Sequence, residues 1–402
     1  MASEERIVIG GVDTHKDVHV AAVIDDRGKL LDTEMFFTTA SGYADVLRWM
    51  RSFGTLVSVG VEGTGSYGAG LARYLAKEDI DVLEVNRPNR QLRRRRGKSD
   101  TVDAEAAARA ALSGQATPPK SQVGIVESIR VLRVAFTSAR RARAQVVLQI
   151  GDLVLTAPDE LRALLDPLST EKRMTRCAHF RVGAELSDPL SATKRALRSL
   201  ARRYGALSAE IVELEASLDE LTARANPALR GAKGVGPDVA GMLLVAAGDN
   251  PDRIRSEASF AALCGASPIE ASSGKIRRHR LSRSGNRQAN HALWRIAMVR
   301  LGCDPKTQAY AKRRTAEGKT KREILRCLKR YIAREMFHLI TDPKAVPQGS
   351  ELRTTRTDAG LTLHTAASAL GTSTVQISQL ERAIRHNSDL AHRYERWLSE
   401  AV

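Results

Sequence analysis

Two short apolar runs that each break off at a carboxylate constrain this chain more than any other feature. Ile7-Val8-Ile9-Gly10-Gly11-Val12 is rich in β-branched residues and predicts a buried strand, with Asp13 following as the chain emerges. Val57-Ser58-Val59-Gly60-Val61 predicts a second strand, ending on Glu62. Farther along, Ser99 can cap a helix whose first turn holds Asp100 and Asp103. Residues three apart share a helix face, so this pair can meet the two strand-borne acids at one site. Taken singly, each acid reads as a turn residue or as a first-turn charge that complements the helix dipole. As a set they are the hard oxygen ligands that Mg²⁺ takes, with Mn²⁺ also suited, and an ion held there would act on phosphate.

The elements between these acids support that reading. Val18–Ile24 and Lys29–Phe37 predict two strands around an Asp25-Asp26-Arg27-Gly28 turn. A helix from Tyr43 to Phe53, the Glu62 strand, a helix from Tyr67 to Lys77, a strand from Ile80 to Val85 and the acidic helix follow. The order β-β-β-α-β-α-β-α predicts a mixed α/β domain over residues 1–115, of RNase H-like type, with its active groups at strand ends.

Charge points to the partner. Lysine and arginine number 63 against 46 acids, a net +17, which calls for a polyanion. Arg90, Arg93, Arg94, Arg95, Arg96 and Lys98 lead into the Asp100 helix, and Lys275, Arg277, Arg278, Arg280, Arg283 and Arg287 surround a Ser272-Ser273-Gly274 turn. Both clusters read as phosphate contacts. A third basic run, from Lys312 to Arg334, lies on a helix with the apolar stripe Ile324, Leu328, Tyr331 and Ile332, and reads equally as a solvated face or as nucleic-acid contact. Aromatic residues make up only 4%, which disfavours a stacking platform for single strands and favours backbone contact to duplex DNA or structured RNA.

The remaining bounds are simple. A chain of 402 residues should hold about two to four domains. No run of 18 apolar residues occurs and Met1-Ala2-Ser3-Glu4-Glu5-Arg6 lacks a signal-peptide pattern, so a soluble intracellular protein without a membrane partner is expected. Cys177, Cys264, Cys303 and Cys327 show neither Cys-x-x-Cys spacing nor paired histidines, which argues against zinc and against disulfides.

Residues 116–226 predict a helical, coiled-coil segment. Ile125, Ile129, Leu132 and Phe136 recur at helical spacing, and Leu197, Leu200, Tyr204, Leu207, Ile211, Leu214, Leu218 and Leu221 alternate three and four. That seam can close on the 125–155 helix as an antiparallel hairpin, on a second copy of the chain, or on both. Residues 227–340 then read as a mainly α domain. Its start, Leu229–Gly236, looks like the turn of a helix-hairpin-helix whose glycines and following helix could present amides to a phosphate.

At several of these points the chain resembles the IS110-type transposases, the DEDD recombinases of bacterial insertion sequences. The matching words are Gly11-Val12-Asp13-Thr14-His15-Lys16-Asp17, Val61-Glu62-Gly63-Thr64-Gly65-Ser66-Tyr67 and Lys98-Ser99-Asp100-Thr101-Val102-Asp103-Ala104. Downstream come Gly231-Ala232-Lys233-Gly234-Val235-Gly236-Pro237, Phe260 to Pro268, Ser272-Ser273-Gly274 and Ser282-Arg283-Ser284-Gly285-Asn286-Arg287, so the likeness spans about residues 5–340. The resemblance implies that Asp13, Glu62, Asp100 and Asp103 are catalytic and metal-binding, and that a serine of the 227–340 transposase domain is the nucleophile. On motif position that serine is Ser273, with Ser272 its neighbour. It also implies donor and target DNA, a structured guide (bridge) RNA from the same element, a dimer or tetramer, and a nucleoid-associated protein of the bacterial cytoplasm. The chain departs from the family at Gly265-Ala266-Ser267-Pro268, where Gly-Leu-x-Pro is usual, and at Ala289-Asn290, where Leu-Arg is common; the missing arginine puts one phosphate contact in question.

The last fifty residues stand apart, since the usual family members end before them. After Pro343, Pro347 and Gly349, the segment 351–402 resembles a small all-α helix-turn-helix, with Gly371 ending one helix and Thr372 or Ser373 opening the next. Thr374, Gln376, Ser378 and Gln379 could then face a groove. The expectation from the whole chain is an enzyme that cuts and rejoins DNA through a transient phosphoserine link. The alternatives are a metal-dependent nuclease of the Holliday-junction-resolvase type and a DNA-binding regulator led by the tail.

Overall fold

A computed structural model describes residues 6–85, 99–114, 116–121, 123–183, 185, 187–274, 279–281 and 285–401. It divides into two units, Met1–Gln122 with Gly248–Arg253, and Val123–Ala247 with Ile254–Val402.

The first unit is built on strands β1 (Ile7–Thr14), β2 (Val18–Asp25), β3 (Leu30–Phe37), β4 (Thr55–Glu62) and β5 (Asp81–Val85), in the sheet order β3-β2-β1-β4-β5. β1 to β3 form the expected antiparallel meander, whereas β4 and β5 run parallel to β1. The turn at 25–28 forms because Gly28 takes φ 81° and the Asp25 carboxylate accepts from the amides of Arg27 and Lys29. Helices α1 (Ala40–Arg51) and α2 (Ala69–Lys77) cover one face, where Val46, Leu47, Met50, Leu71 and Leu75 bury Val8, Val12, Val59 and Val61. α1 starts three residues before the sequence-based expectation of Tyr43, because the Thr39 hydroxyl accepts from the Gly42 amide at 3.1 Å and caps the helix there.

The opposite face carries one helix, α3 (Asp100–Leu112), seated unusually deep. Its inward residues are Ala104, Ala107, Ala108 and Ala111, and the strands beneath present Gly11 and Gly60, which are register partners. A Cβ on Gly11 would lie 2.2 Å from both Ala104 O and Ala108 N, and one on Gly60 would lie 2.4 Å from Ala107 O. Helix main chain therefore rests on strand main chain. A methyl group at position 11 strikes backbone that cannot rotate away, so Gly11→Ala should lower unfolding stability by about 3 kcal/mol. Denaturant melts of the variant check this, and a loss below about 0.5 kcal/mol would mean that the helix lifts freely.

In the second unit, α4 (Ile125–Leu155) and α7 (Pro189–Ala225) form an antiparallel hairpin. Val126, Ile129, Phe136 and Ala139 share a core with Ile211 and Leu218, and at the other end Val146, Ile150 and Val154 share one with Leu197 and Ala201. The heptad seam is thus filled from within the chain. Short helices α5 (Asp159–Leu165) and α6 (Thr170–Ala178) close the far end with Leu161, Leu165, Met174 and Cys177.

Against the near end pack α8 (Pro227–Gly231), α9 (Pro237–Ala247), α10 (Glu257–Leu263), α11 (Arg287–Cys303), α12 (Pro305–Ala316) and α13 (Lys321–Thr341). A two-stranded hairpin, β6 (Pro268–Glu270) and β7 (His279–Leu281), stands between α10 and α11 in sequence. The α8–α9 turn is tight as expected, with Gly234 at φ 84°. Buried Asp238 accepts from Arg133, Arg140 and Arg295 and so ties α4, α9 and α11 together.

The tail forms α14 (Gly349–Asp358), α15 (Leu363–Ala369), α16 (Thr374–Glu381) and α17 (Ser388–Ala401) around Leu352, Ala366, Ile377, Leu380, Tyr394 and Leu398. Gly371, at φ 60°, separates α15 from α16, and the Ser373 hydroxyl caps α16 by accepting from the Gln376 amide. Arg356 and Glu381 form a buried bidentate pair at 2.7 and 3.1 Å, and the Tyr394 hydroxyl donates to the same carboxylate at 2.8 Å. Removing one partner strands the other's charge in the core, so Arg356→Met should destabilise the tail by about 3–5 kcal/mol. Proteolysis of the tail, read against a melt of the full chain, measures it; unchanged protection would show that the pair is dispensable.

Candidate metal centre and serine loop

The deep seating of α3 decides where the acids meet. Side chains alternate along a strand, so Asp13 lies on the same face as Gly11, and Glu62 on the same face as Gly60. Both acids therefore project to the α3 side, at the carboxyl ends of neighbouring strands, since Val12 pairs with Val61 one residue before them. The Thr14 hydroxyl donates to Glu62 O at 2.7 Å and fastens these strand ends together. The amino end of α3 is fixed by Ser99, whose hydroxyl accepts from the Val102 amide at 3.3 Å. Asp100 is then delivered beside Asp13, while Asp103 lies near enough for its charge to act on the Asp13 carboxyl but outside the group within 4.8 Å.

One residue joins them that the carboxylate pattern does not single out. His15 Nε2 lies 3.3 Å from Asp13 Oδ2 and 3.5 Å from Asp100 Oδ1, and one ligand atom from each of the three falls within 4.8 Å of the others. The signal for it is parity, because position 15 continues the 11-13 alternation past the end of β1. Asp13 and Asp103 are buried, Glu62 is half-buried and Asp100 is exposed. Burial pushes the Asp13 carboxyl above its usual range; His15 opposes that rise, while Asp103 and Asp100 add to it. Negative groups are held together here against their mutual repulsion.

The serine loop lies in the second unit. Ser273 is exposed in the connection between β6 and β7, and Gly274 after it takes φ 56°, a left-handed conformation that a side chain would strain. Arg280 on β7 and Arg287 at the start of α11 are exposed. Lys275, Arg277, Arg278 and Arg283, like Arg93, Arg94, Arg95, Arg96 and Lys98, lie outside the described residues. Asn290, at one of the departures noted above, serves the fold instead of a phosphate. Its Nδ2 donates to Cys264 O and Gly265 O, and its Oδ1 accepts from Lys329 Nζ at 3.0 Å. The turn that precedes β6 is pinned by an amide.

A mixed sheet with acids at adjacent strand ends and at a helix start brings together oxygen and nitrogen donors that could hold a cation. Comparison with known proteins adds the family. Residues 10–157 match the DEDD transposase model of IS110, and residues 226–312 match the transposase model of the IS116/IS110/IS902 family. A Streptomyces coelicolor protein described as the insertion element IS110 uncharacterized 43.6 kDa protein is 32% identical over 161 residues, 38% of this chain. The match spans 40% of that relative's length. The chain belongs to the IS110 family of insertion-sequence transposases. Among the described residues no helix is long and apolar enough to cross a membrane.

Proposed function

We propose that the protein cuts and rejoins DNA as an insertion-sequence recombinase, with a RuvC-like, RNase H-type metal centre in its first unit and a serine nucleophile in its second. The observation that carries the reading is the convergence of Asp13, His15, Asp100 and Asp103, with Glu62 one strand away, on the α3 side of the sheet. The donor set fits a hard divalent cation. Ligands about 2.1 Å from one octahedral ion sit about 3 Å apart when adjacent, close to the 3.3 and 3.5 Å that separate His15 from its two aspartates. Asp13, Glu62, Asp100 and Asp103 would hold Mg²⁺ or Mn²⁺, with His15 as a nitrogen donor. When bound, such an ion polarises a phosphoryl oxygen and makes a hydroxyl easier to deprotonate.

Ser273 is the residue we assign to attack. Its Oγ bonds to phosphorus as the bond from phosphorus to the leaving deoxyribose oxygen breaks, and the hydroxyl proton passes to solvent. Attack by a deoxyribose hydroxyl on that phosphoserine then restores the serine, so no bond energy is lost to water. Basic residues on both sides of the loop hold the strand, with Arg280 and Arg287 the members of that set among the described residues. The family pattern and the net charge support a structured RNA as guide, which RNA recovered from gently purified protein tests directly. Helix α16, with Thr374 and Gln376 exposed, supports a helix-turn-helix role for the tail on duplex DNA. The experiment that decides the central reading is recovery of a covalent protein–DNA adduct from stalled reactions.

A further inference from the structure

Between β7 and the amino end of α13 lies a cavity of ≈ 550 Å³. Arg280, Lys319, Arg326, Lys329 and Arg330 line it, with Glu323 as its one acid. That acid is already engaged, because Glu323 accepts from both the amide and the hydroxyl of Thr320 to close a capping box; these bonds first, and the Lys319 and Arg326 charges after them, hold its carboxyl below the usual range. Arg280, Lys319 and Arg326 form no ion pair among the described residues. Arg330 reaches Glu257 with Nη2 at 3.5 Å, which leaves its buried Nη1 without a hydrogen-bond partner. Lys329 is held below the usual lysine range, by burial first and by the Arg326 charge second. The positive end of the α13 dipole adds to the same field.

Five cations around a cavity with a single, committed acid form an arrangement that self-repulsion opposes, and an anion relieves it. We propose that this cavity seats a backbone phosphate of the DNA strand whose neighbouring phosphate lies at the serine loop. The location gives the partner: Pro268, His279 and Arg280 of the lining belong to β6 and β7, the strands that flank Ser273. The inference rests on the serine-loop assignment above, and it turns Arg326, Lys329 and Arg330, but not the exposed Lys321 and Arg322, from a solvated face of α13 into a built contact.

Lys319→Gln with Arg326→Gln removes two cations from the cavity lining, and Lys321→Gln with Arg322→Gln removes the same charge from exposed positions on α13 outside it. Affinity of the full chain for a short DNA duplex and for a hairpin RNA with the same number of phosphates is measured across salt concentrations. The cavity pair should weaken DNA binding at least roughly tenfold and make the slope of log K against log [salt] shallower by about 1.8, at about 0.9 per lost contact. The control pair should leave both near the parent. Equal flattening by the two pairs would reduce the effect to net charge and overturn the proposal, as would a change seen with RNA alone. Matching melts of the two variants rule out unfolding. A cavity effect on DNA affinity in a protein that forms no serine adduct would sink the recombinase reading and leave the phosphate site standing.

Discussion

Asp13→Asn is expected to reduce strand cleavage by roughly 10³-fold or more, the order seen when a group that stabilises transferring charge is removed. The change keeps size and shape but takes away the charge at the most buried point of contact among Asp13, His15 and Asp100. Affinity for DNA should hold, because the cationic residues assigned to the backbone lie elsewhere in the chain. Mn²⁺ titrated into the parent and followed by electron paramagnetic resonance gives a readout independent of cleavage. The parent should bind the ion and show coupling to an imidazole nitrogen, Asp13→Asn should bind it poorly, and His15→Gln should bind it without the nitrogen coupling. Cleavage at parental rate by Asp13→Asn would refute the metal centre. Binding without nitrogen coupling in the parent would remove only His15 from the ligand set.

Ser273→Ala is expected to eliminate the covalent adduct and recombination together, since alanine has no oxygen to attack phosphorus. Metal and nucleic-acid binding should persist, because the carboxylates are untouched and lie in the other unit. Ser272→Ala is the internal control and should be milder. Mass spectrometry of the trapped peptide assigns the attachment point. An adduct on Ser272 would move the assignment by one residue. Recombination by Ser273→Ala with no adduct on either serine would convert the protein into a metal nuclease that uses water.

Much of the first unit is legible in the sequence because its signals are local. The apolar runs at 7–12 and 57–61 give their strands, Ser99 gives its cap, and the order of elements predicts a mixed sheet. The start of α1 is harder to place, because Thr39 follows directly on a strand and its hydroxyl acts as a cap only once the chain has turned. His15 escapes for a different reason. A search for paired carboxylates has no place for a nitrogen donor, and only the face shared by positions 11, 13 and 15 brings it in. The partner of the heptad seam stays open in the sequence, because periodicity states that a stripe must be buried but not against what; Ile129, Phe136, Ile150 and Val154 answer that with contacts more than forty residues away in sequence. The three arginines on Asp238 are invisible for the same reason, since Arg133 and Arg140 on α4 and Arg295 on α11 reach α9 from far along the chain.

The bare glycines under α3 have a genetic consequence. When two side chains collide, a smaller residue on the other partner can restore the fit, and a screen for second-site revertants finds it. At Gly11 and Gly60 the struck atoms are the carbonyl oxygens of Ala104 and Ala107 and the amide of Ala108, which are main chain and so unchanged by any side-chain replacement there. No substitution along the helix makes room. Selection for restored transposition after Gly11→Ala should therefore return glycine at that codon, whereas lesions in the alanine stripe of the same helix can be relieved from the sheet side.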